Sequence, residues 1–348
     1  MNMPLLKDSM TGPALTSEQT LEQSFNKEIA EFWQTGHFDS FPGKDEVRIN
    51  YAYFIHKQEC PDLVIVQGRS EGYLKYKELA FDLFHQGYNI FLIDHRGQGI
   101  SQRMLDNPKK GYVKRFDDYS EDLHRFITEV VNKAGTAQNS SVKPFVLAHS
   151  MGSAITVRLL QLYPNCIQAA VLASPMIGIN TGLIPHWLAT VLVGTGLRLN
   201  NCLGGQPWYF LGQGDHQFGA FAVNPLTHSK LRYQLLRDAY QQYPDMKLGG
   251  VTTHWLHQAF ETNKKMFQQL ANLSVPILVL QSGKDIIVDN SEQNRFCREL
   301  NKLKPFSCPD GKAITLDGAK HELFFESDKY RTPAITYALN WYNRHAGK

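Results

Sequence analysis

The feature that most constrains the fold is a series of short, continuously apolar runs, most of them separated from the next by a stretch of helical periodicity. Strands that are apolar on both faces belong in the middle of a parallel sheet covered by helices. The apolar runs are 63–66, 90–93, 145–148, 169–173, 277–280 and 313–316. The predicted helices include 73–85, 116–131, 151–163, 291–300 and 330–344. This alternation predicts a doubly wound, mostly parallel α/β sheet.

One long gap interrupts this alternation, because residues 174–276 separate two successive apolar runs, against roughly 30 residues for a simple strand–helix–strand unit. The gap is rich in aromatic residues, leucine and glycine, so we expect a folded insertion, a cap, over residues 176–272. The core then consists of two parts, residues 46–175 and 273–348. Residues 1–45 are predicted to form a loose tail of about 15 residues and an amphipathic helix over 17–36, and a period-two pattern predicts a strand over 47–55.

Composition excludes several classes of protein. An apolar content of 43% with 20% charged residues excludes a disordered or collagen-like chain. A net charge of +3 without a run of like charges argues against nucleic-acid binding. Five scattered cysteines without a CxxC pair indicate neither a disulfide framework nor a zinc site. No apolar stretch has the length of a signal peptide or a spanning helix, so we expect a cytoplasmic protein that associates with membranes only peripherally.

The most specific motif is the run 145–154, Phe-Val-Leu-Ala-His-Ser-Met-Gly-Ser-Ala, in which an apolar strand leads directly into a helix. This is the strand–elbow–helix context of a nucleophilic serine, and it requires small residues two positions before and after that serine. Ala148 and Gly152 meet this requirement. The pattern predicts Ser150 as a nucleophile; the alternative is that Ser150 only caps the following helix.

A nucleophilic serine needs a histidine base and a carboxylate that orients it, which follow in the order serine, acid, histidine in folds of this kind. Asp285 follows the apolar run 277–280, and His321 follows the last run, 313–316. We therefore predict Asp285 as the orienting acid and His321 as the base. Asp289 is the alternative acid, although it also suits the cap of a helix that begins near Ser291.

An oxyanion hole requires two backbone N–H groups directed at the developing negative charge. We expect one from Met151, directly after the nucleophile, and the other from Arg69, in the loop after the run 63–66. Gly68 would allow the chain to approach the site closely; the alternative is an ordinary glycine turn. No metal or organic cofactor is expected for this chemistry.

Several strings resemble a known family. The strings 94–101, Asp-His-Arg-Gly-Gln-Gly-Ile-Ser, and 148–152 resemble the α/β-hydrolase superfamily in its monoacylglycerol-lipase and lysophospholipase branch. The strings 68–76, 224–229 and 340–345 resemble more closely the lysophospholipases of the Gram-negative inner membrane. The resemblance covers nearly the whole chain, and it implies an α/β-hydrolase fold and hydrolysis of the acyl ester of a lysophospholipid. It also implies acyl transfer from such lipids to phosphatidylglycerol. The protein would then act at the inner face of the inner membrane.

The insertion should decide the substrate. Its segment 183–193 is the most apolar of the chain, which suits an acyl-chain tunnel, a bilayer contact or simple packing of the insertion. We expect Trp187 and Leu188 to contact substrate or bilayer, with Arg198 as a nearby cation. Alternative functions are a monoacylglycerol lipase, a soluble esterase or thioesterase for small acyl groups, and a non-catalytic lipid-binding pseudoenzyme. A complete serine–aspartate–histidine set argues against the last of these.

Overall fold

The computed structural model describes residues 14–135, 142–215 and 219–346. One eight-stranded sheet lies at its centre. The strands are β1 (His37–Pro42), β2 (Arg48–Phe54), β3 (Asp62–Val66), β4 (Asn89–Ile93), β5 (Phe145–His149), β6 (Ala170–Ala173), β7 (Ile277–Ser282) and β8 (Ile314–Leu316). They lie in the order β1-β2-β4-β3-β5-β6-β7-β8. The pairs β1–β2 and β2–β4 are antiparallel and all other neighbours are parallel, which confirms the predicted mostly parallel sheet.

Helices cover both faces of this sheet. They are α1 (Leu21–Asn26), α2 (Glu28–Gln34), α3 (Lys77–His85), α4 (Asp117–Arg125), α5 (Asn132–Ala134), α6 (Met151–Leu162), α7 (His186–Leu203), α8 (Lys230–Gln242), α9 (Thr253–Gln268), α10 (Asn290–Leu303) and α11 (Asp328–His345). A π-helical turn at Phe126–Val131 joins α4 to α5. Alternate residues of β3 belong to opposite layers of the core: Val64 and Val66 lie on the side of α4 and α6, while Leu63 and Ile65 lie on the side of α3 and α11. The continuous apolar runs follow from this burial on two faces.

The N-terminal region differs from the sequence prediction in two details. The helix predicted over 17–36 is broken at Lys27, whose backbone (φ −125°, ψ −88°) is not helical, so α1 and α2 are separate helices. Residues 37–42 belong to the predicted N-terminal segment 1–45, but in the structure they form β1 at the edge of the sheet. In this strand only Phe41 is buried, so it carries no period-two pattern. Most of the predicted N-terminal tail lies outside the described residues.

Residues 174–276 lie between β6 and β7 in sequence and contribute α7, α8 and α9. Val193 of α7 packs against Leu256 and Phe260 of α9 in a small apolar cluster of their own. The helix α8 is joined to α3 by a buried ion pair between Arg232 and Glu78, whose closest atoms are 2.8 Å apart. The ion pair attaches the segment to the core, and the boundaries of the segment as a separate cap remain a prediction.

Across the described ranges, every helix is too short or too polar to cross a bilayer.

Candidate active site

The parallel strands bring the predicted site residues to one edge of the sheet. Gly68 follows β3, Ser150 follows β5, Asp285 follows β7 and His321 follows β8. Because parallel strands end at the same edge, four loops that are far apart in sequence meet there. The backbone amide of Ser150 donates to the carbonyl of Ala173 at the end of β6 (2.9 Å), which extends the pairing of β5 with β6 to the elbow itself.

Ser150 lies in a strained turn between β5 and α6. Its φ of 49° and ψ of −114° lie outside the regions that non-glycine residues ordinarily adopt, and such strain is typical of a nucleophile elbow. A Cβ atom on Gly152 would lie 2.2 Å from the carbonyl oxygen of Val66, so glycine is required at this position. The Ser150 side chain makes no capping hydrogen bond with α6, in contrast to the role of a simple helix cap.

The side chains of the three predicted catalytic residues form one hydrogen-bonded chain. The hydroxyl of Ser150 donates to Nε2 of His321 (2.9 Å), and Nδ1 of His321 donates to Oδ2 of Asp285 (2.7 Å). The other oxygen of Asp285 accepts from the amides of Ile287 (2.8 Å) and Val288 (3.2 Å). Burial raises the pKa of Asp285, but the His321 ring and these amides more than offset it, so the pKa lies below its ordinary value. The arrangement keeps the carboxylate ionised and holds the imidazole in one tautomer.

The alternative acid, Asp289, lies elsewhere. It occupies the N-cap of α10, where its Oδ1 accepts from the amide (2.8 Å) and the hydroxyl (2.6 Å) of Ser291. It therefore has the capping role that the sequence offered as its alternative.

The predicted oxyanion donors lie at the ends of β3 and β5. Met151 is the first residue of α6, where a backbone N–H has no acceptor within its own helix. Arg69 lines the same cavity as Ser150. Gly68 packs closely, since a Cβ atom there would lie 2.9 Å from Nδ1 of His149, which favours a close approach of this loop over an ordinary glycine turn. The use of these two amides as an oxyanion hole remains a prediction.

A cavity of about 400 Å³ opens over Ser150 and His321, and we call it the Ser150 cavity. One part of its wall is polar and belongs to the core. The opposite part comes from residues 219–240 of the insertion and includes Val223, Leu226, Tyr233, Leu236 and Tyr240. The hydroxyl of Tyr240 donates to the carbonyl of Ser70, which joins the two walls.

The structure does not bring the two predicted substrate contacts to this cavity. Trp187 is 68% exposed on α7, and Leu188 beside it is partly buried, and neither lines the Ser150 cavity. Since neither side chain lines the cavity over Ser150, the structure offers no support for their predicted role in binding the acyl chain. An exposed tryptophan remains compatible with the bilayer contact that was the other interpretation.

Sequence reasoning missed a buried ionic cluster beside the site. Nζ of Lys75 lies 2.6 Å from Oε1 of Glu71 and 2.7 Å from Oε1 of Glu322. The second oxygen of Glu71 accepts from the amide of Gly68 (2.6 Å) and from the hydroxyl of Tyr76 (2.5 Å). Two signals were available in the sequence: Glu71 and Lys75 are four residues apart, which is the spacing of a helical ion pair, and Glu322 directly follows the predicted base.

His149, next to the nucleophile, connects this cluster to the base. Its Nδ1 lies 3.3 Å from Oε1 of Glu71, and its Nε2 donates to the carbonyl of His321 (3.3 Å). Burial lowers the pKa of His149, but the Glu71 carboxylate more than offsets it, and the pKa lies above its ordinary value. Attraction to Lys75 and His149 likewise outweighs the effect of burial on Glu71 and holds its pKa well below the ordinary value.

In the part of the chain that the structure describes, no group of three histidine, cysteine or acidic side chains is placed to bind a metal ion.

Comparison with known proteins identifies the family. Residues 58–328 match the family described as serine aminopeptidase, S33. The chain belongs to this family. The hydrolase is 34% identical over 317 residues to lysophospholipase L2 of Escherichia coli strain K12, a match that covers 91% of this chain and 90% of the relative. It is 35% identical over 313 residues to the probable lysophospholipase L2 of Haemophilus influenzae, covering 88% and 93% of the two chains. These matches confirm the predicted resemblance.

Among solved structures, the hydrolase is similar to a soluble variant of monoglyceride lipase from Saccharomyces cerevisiae in complex with a substrate analogue. The TM-score is 0.68 at 17% identity, and the match covers 90% of this chain and 95% of the other. At this identity the likeness concerns the fold, and it confirms the α/β-hydrolase fold that the sequence predicts.

Proposed function

We propose that the hydrolase is a serine carboxylic-ester hydrolase that removes the acyl chain from lysophospholipids. The observation that carries this proposal is the chain of hydrogen bonds from Ser150 through His321 to Asp285. Ser150 and His321 line a cavity of about 400 Å³. Two relatives at 34% and 35% identity bear the name lysophospholipase L2 and support the choice of substrate. Because their matches span most of both chains, the insertion that lines the cavity is included in the likeness.

In the first step, the hydroxyl of Ser150 attacks the ester carbon while His321 accepts its proton. The negative charge that develops on the ester oxygen is stabilised by the amides of Met151 and Arg69. His321 then donates the proton to the glycerol oxygen, which leaves with the headgroup, and the acyl chain stays on Ser150. Asp285 remains ionised throughout and stabilises the imidazolium.

In the second step, water or an alcohol takes the acyl group from Ser150. His321 removes a proton from water, the resulting nucleophile attacks the acyl-enzyme, and a fatty acid is released. An alcohol can take the place of water by the same proton transfer. We therefore include acyl transfer to the glycerol headgroup of phosphatidylglycerol as a second outcome of the same intermediate.

The acyl chain is assigned to the apolar wall of the Ser150 cavity. Val223, Leu226 and Leu236 of the insertion and Ile287 near Asp285 provide this wall. Val223 is 77% exposed, so the apolar surface continues from the cavity to the outside of the protein. A chain that enters along this surface would bring its ester bond to Ser150 from the side of the insertion.

We also propose that the hydrolase docks peripherally on the cytoplasmic face of the inner membrane through the outer side of α7. Trp187 and Val191 lie one helical turn apart and are 68% and 55% exposed, and Leu183 just before the helix is fully exposed. The cation of Arg198 is exposed on the same helix. Since the proposed substrates are membrane lipids, an apolar helix face with a nearby cation suits an anionic bilayer surface.

The docking proposal is tested by sedimentation with vesicles. Wild-type protein should bind vesicles rich in phosphatidylglycerol more strongly than neutral vesicles, and the double change of Trp187 and Val191 to serine should weaken this binding. Leu303→Ser, at a residue 52% exposed at the end of α10, is the matched control and should bind as wild type does. The proposal is wrong if wild-type protein ignores both kinds of vesicle or if the control weakens binding equally.

The enzymatic proposal is tested with a panel of substrates that share one acyl chain. Purified protein should release fatty acid from lysophospholipids faster than from monoacylglycerols or short esters. An aminoacyl anilide belongs in the panel because the family description names a peptidase. Faster cleavage of the anilide, or none of any lysophospholipid, would contradict the proposal. Adding phosphatidylglycerol and following doubly acylated headgroups measures the transfer reaction.

A further inference from the structure

Arg69 carries a guanidinium group that has no carboxylate partner among the residues that the structure describes. Its Nη2 donates to the carbonyl of Gly249 (2.5 Å) and its Nη1 to the hydroxyl of Ser70 (3.0 Å). The group lies over the ring of Trp255, 5.3 Å from its centroid, and its Nε–H is buried without a hydrogen-bond partner. A guanidinium has five N–H donors, so these neutral contacts leave both charge and donors unsatisfied.

Arg69 is half-buried, whereas four other arginines of the described residues are fully buried and have different partners. Each of the four in the described part of the chain is paired with at least one acidic side chain. These pairs are Arg96 with Asp122, Arg158 with Asp117, Arg232 with Glu78 and Arg331 with Asp82. A cation that is shielded from water and has no counter-charge is costly, and such groups occur at functional sites. Burial lowers the pKa of Arg69 to about 10, which still leaves the group charged at neutral pH.

Arg69 also lies at the boundary between two cavities. It lines the Ser150 cavity and a second cavity of about 480 Å³, which we call the glycine groove. The lining of the groove includes Gly212, Gly214, Gly249 and Gly250, which have no side chains to occupy it. A molecule whose ester bond lies at Ser150 therefore has a polar space beside it, and Arg69 lines both spaces.

We propose that the guanidinium of Arg69 binds the phosphate of the lysophospholipid headgroup and holds it at the entrance of the glycine groove. This inference rests on the proposed function and specifies how the headgroup is recognised. In a lysophospholipid only the short glycerol unit separates the acyl ester from the phosphate. Because Arg69 and Ser150 line the same cavity, an ester bond at Ser150 would bring that phosphate near the Arg69 side chain. Arginine binds phosphate through paired N–H donors, which a monoacylglycerol cannot use.

The acidic groups near this place are already neutralised. Asp215, which also lines the groove, lies 3.1 Å from Nζ of Lys109 and accepts from the hydroxyl of Tyr209 (2.7 Å). In the Ser150 cavity, Glu71 and Glu322 share Nζ of Lys75. These carboxylates therefore oppose an incoming anion only weakly, and among the described residues none of them pairs with Arg69.

The test compares two substrates with the same octanoyl chain, a lysophosphatidylglycerol and a monoacylglycerol, both below their micellar concentrations. Arg69→Gln should lower the ratio of their kcat/KM values by roughly 10- to 100-fold, the expected effect of losing a charge-assisted contact. Most of the loss should lie in KM for the lysophospholipid, since the contact is made equally in the ground and transition states. The ratio for Arg69→Lys should lie between those of wild type and Arg69→Gln, because lysine keeps the positive charge but lacks the paired N–H donors of the guanidinium.

Two controls separate recognition from structure. Labelling by a fluorophosphonate shows whether each variant retains an intact site, and only the labelled fraction is counted. Arg298→Gln removes a charge from an exposed position on α10 and should leave the substrate ratio unchanged. If Arg69→Gln reduces both substrates equally, or leaves the ratio within twofold of wild type, Arg69 only anchors its loop to Gly249 and the proposal is wrong.

A second measurement does not depend on lysophospholipid hydrolysis. Glycerol 3-phosphate should inhibit the cleavage of a short ester competitively, and Arg69→Gln should weaken this inhibition at least tenfold. If wild-type protein is inhibited in this way but cleaves no lysophospholipid, the anion site stands and the proposed function fails. If it cleaves lysophospholipids but glycerol 3-phosphate does not compete, the anion site fails alone. Inhibition by inorganic phosphate only would assign the site to free phosphate and overturn the headgroup role.

Discussion

Nζ of Lys75 lies 2.7 Å from Glu322, the residue directly after His321, and 2.6 Å from Glu71 in the loop after β3. One buried ammonium group thus connects the loop of the predicted oxyanion hole to the loop of the base. Attraction to the two carboxylates outweighs burial and raises the pKa of Lys75 above its ordinary value. This cation therefore helps to fix the relative position of the two loops, together with His149, which contacts both Glu71 and the carbonyl of His321.

We predict that Lys75→Met lowers both stability and turnover. The change leaves two buried carboxylates without their cation, which costs about 3–5 kcal/mol in comparable cases. Urea denaturation should detect this loss, and kcat for a short ester should fall in the variant that remains folded. The matched control is Lys264→Met, which removes an exposed ion pair to Glu261 and should cost less than about 1 kcal/mol. Similar losses in the two variants would contradict the bridging role.

The nucleophile is tested by Ser150→Ala, which should abolish covalent labelling by a fluorophosphonate and reduce activity by roughly 10³- to 10⁶-fold. Ser153→Ala is the matched control, because this hydroxyl only donates to the carbonyl of Ala148 (3.1 Å). It should remain labelled and active. Persistent labelling of the Ser150 variant would show that another serine is the nucleophile.

The orienting acid is tested by two asparagine substitutions. Asp285→Asn should reduce turnover by about 10⁴-fold, since an amide favours the wrong tautomer of His321. Asp289→Asn should leave turnover nearly unchanged, because asparagine also caps a helix well. Steady-state turnover of the two variants at neutral pH tests this. If Asp289→Asn lost far more turnover than Asp285→Asn, Asp289 would be the orienting acid.

The elbow is tested by adding one methyl group. Gly152→Ala would place a Cβ atom 2.2 Å from the carbonyl oxygen of Val66 and 2.4 Å from that of Gln67. Backbone atoms cannot move aside cheaply, so we expect a loss of about 1–3 kcal/mol or more in the free energy of unfolding, together with lower activity. Gly194→Ala, in α7, has no atom within 4 Å of the added Cβ and should stabilise the protein by up to about 1 kcal/mol.

The pairing of His149 with Glu71 predicts a pH dependence. The pKa of His149 is raised in the folded protein, so its stabilising effect is complete below the unfolded value of about 6.5 and is lost as the pH rises through the folded pKa. The stability difference between wild type and His149→Gln should therefore shrink from pH 6 to pH 9. His124 is the opposite case, because burial lowers its pKa. The stability of wild type relative to His124→Gln should therefore increase with pH. Denaturation curves measured between pH 6 and pH 9 would show whether each difference falls or rises as expected.

The sequence by itself determined the sheet and the positions at which reactive residues leave it. Strands buried on both faces must be apolar throughout, so their runs were visible without a structure. The elbow at Ser150 was visible as well, because a backbone turn that tight tolerates only small neighbours. Asp285 and His321 followed from the rule that parallel strands end at one edge. By contrast, β1 was not visible, since an edge strand with one buried residue carries no pattern.

Only the tertiary structure decided which charges meet. The spacing of Glu71 and Lys75 suits an ion pair, but nothing in the sequence indicates that Glu322, about 250 residues further on, is buried at the same ammonium group. The same holds for Arg69: within the described residues its guanidinium meets carbonyl, hydroxyl and ring groups but no carboxylate, and no spacing in the sequence indicates this. The exposure of Trp187 also depended on how α7 packs against α9. Hydrophobic periodicity records the burial of an element along the chain, whereas the pairing of charges depends on distances between elements, which sequence spacing does not contain.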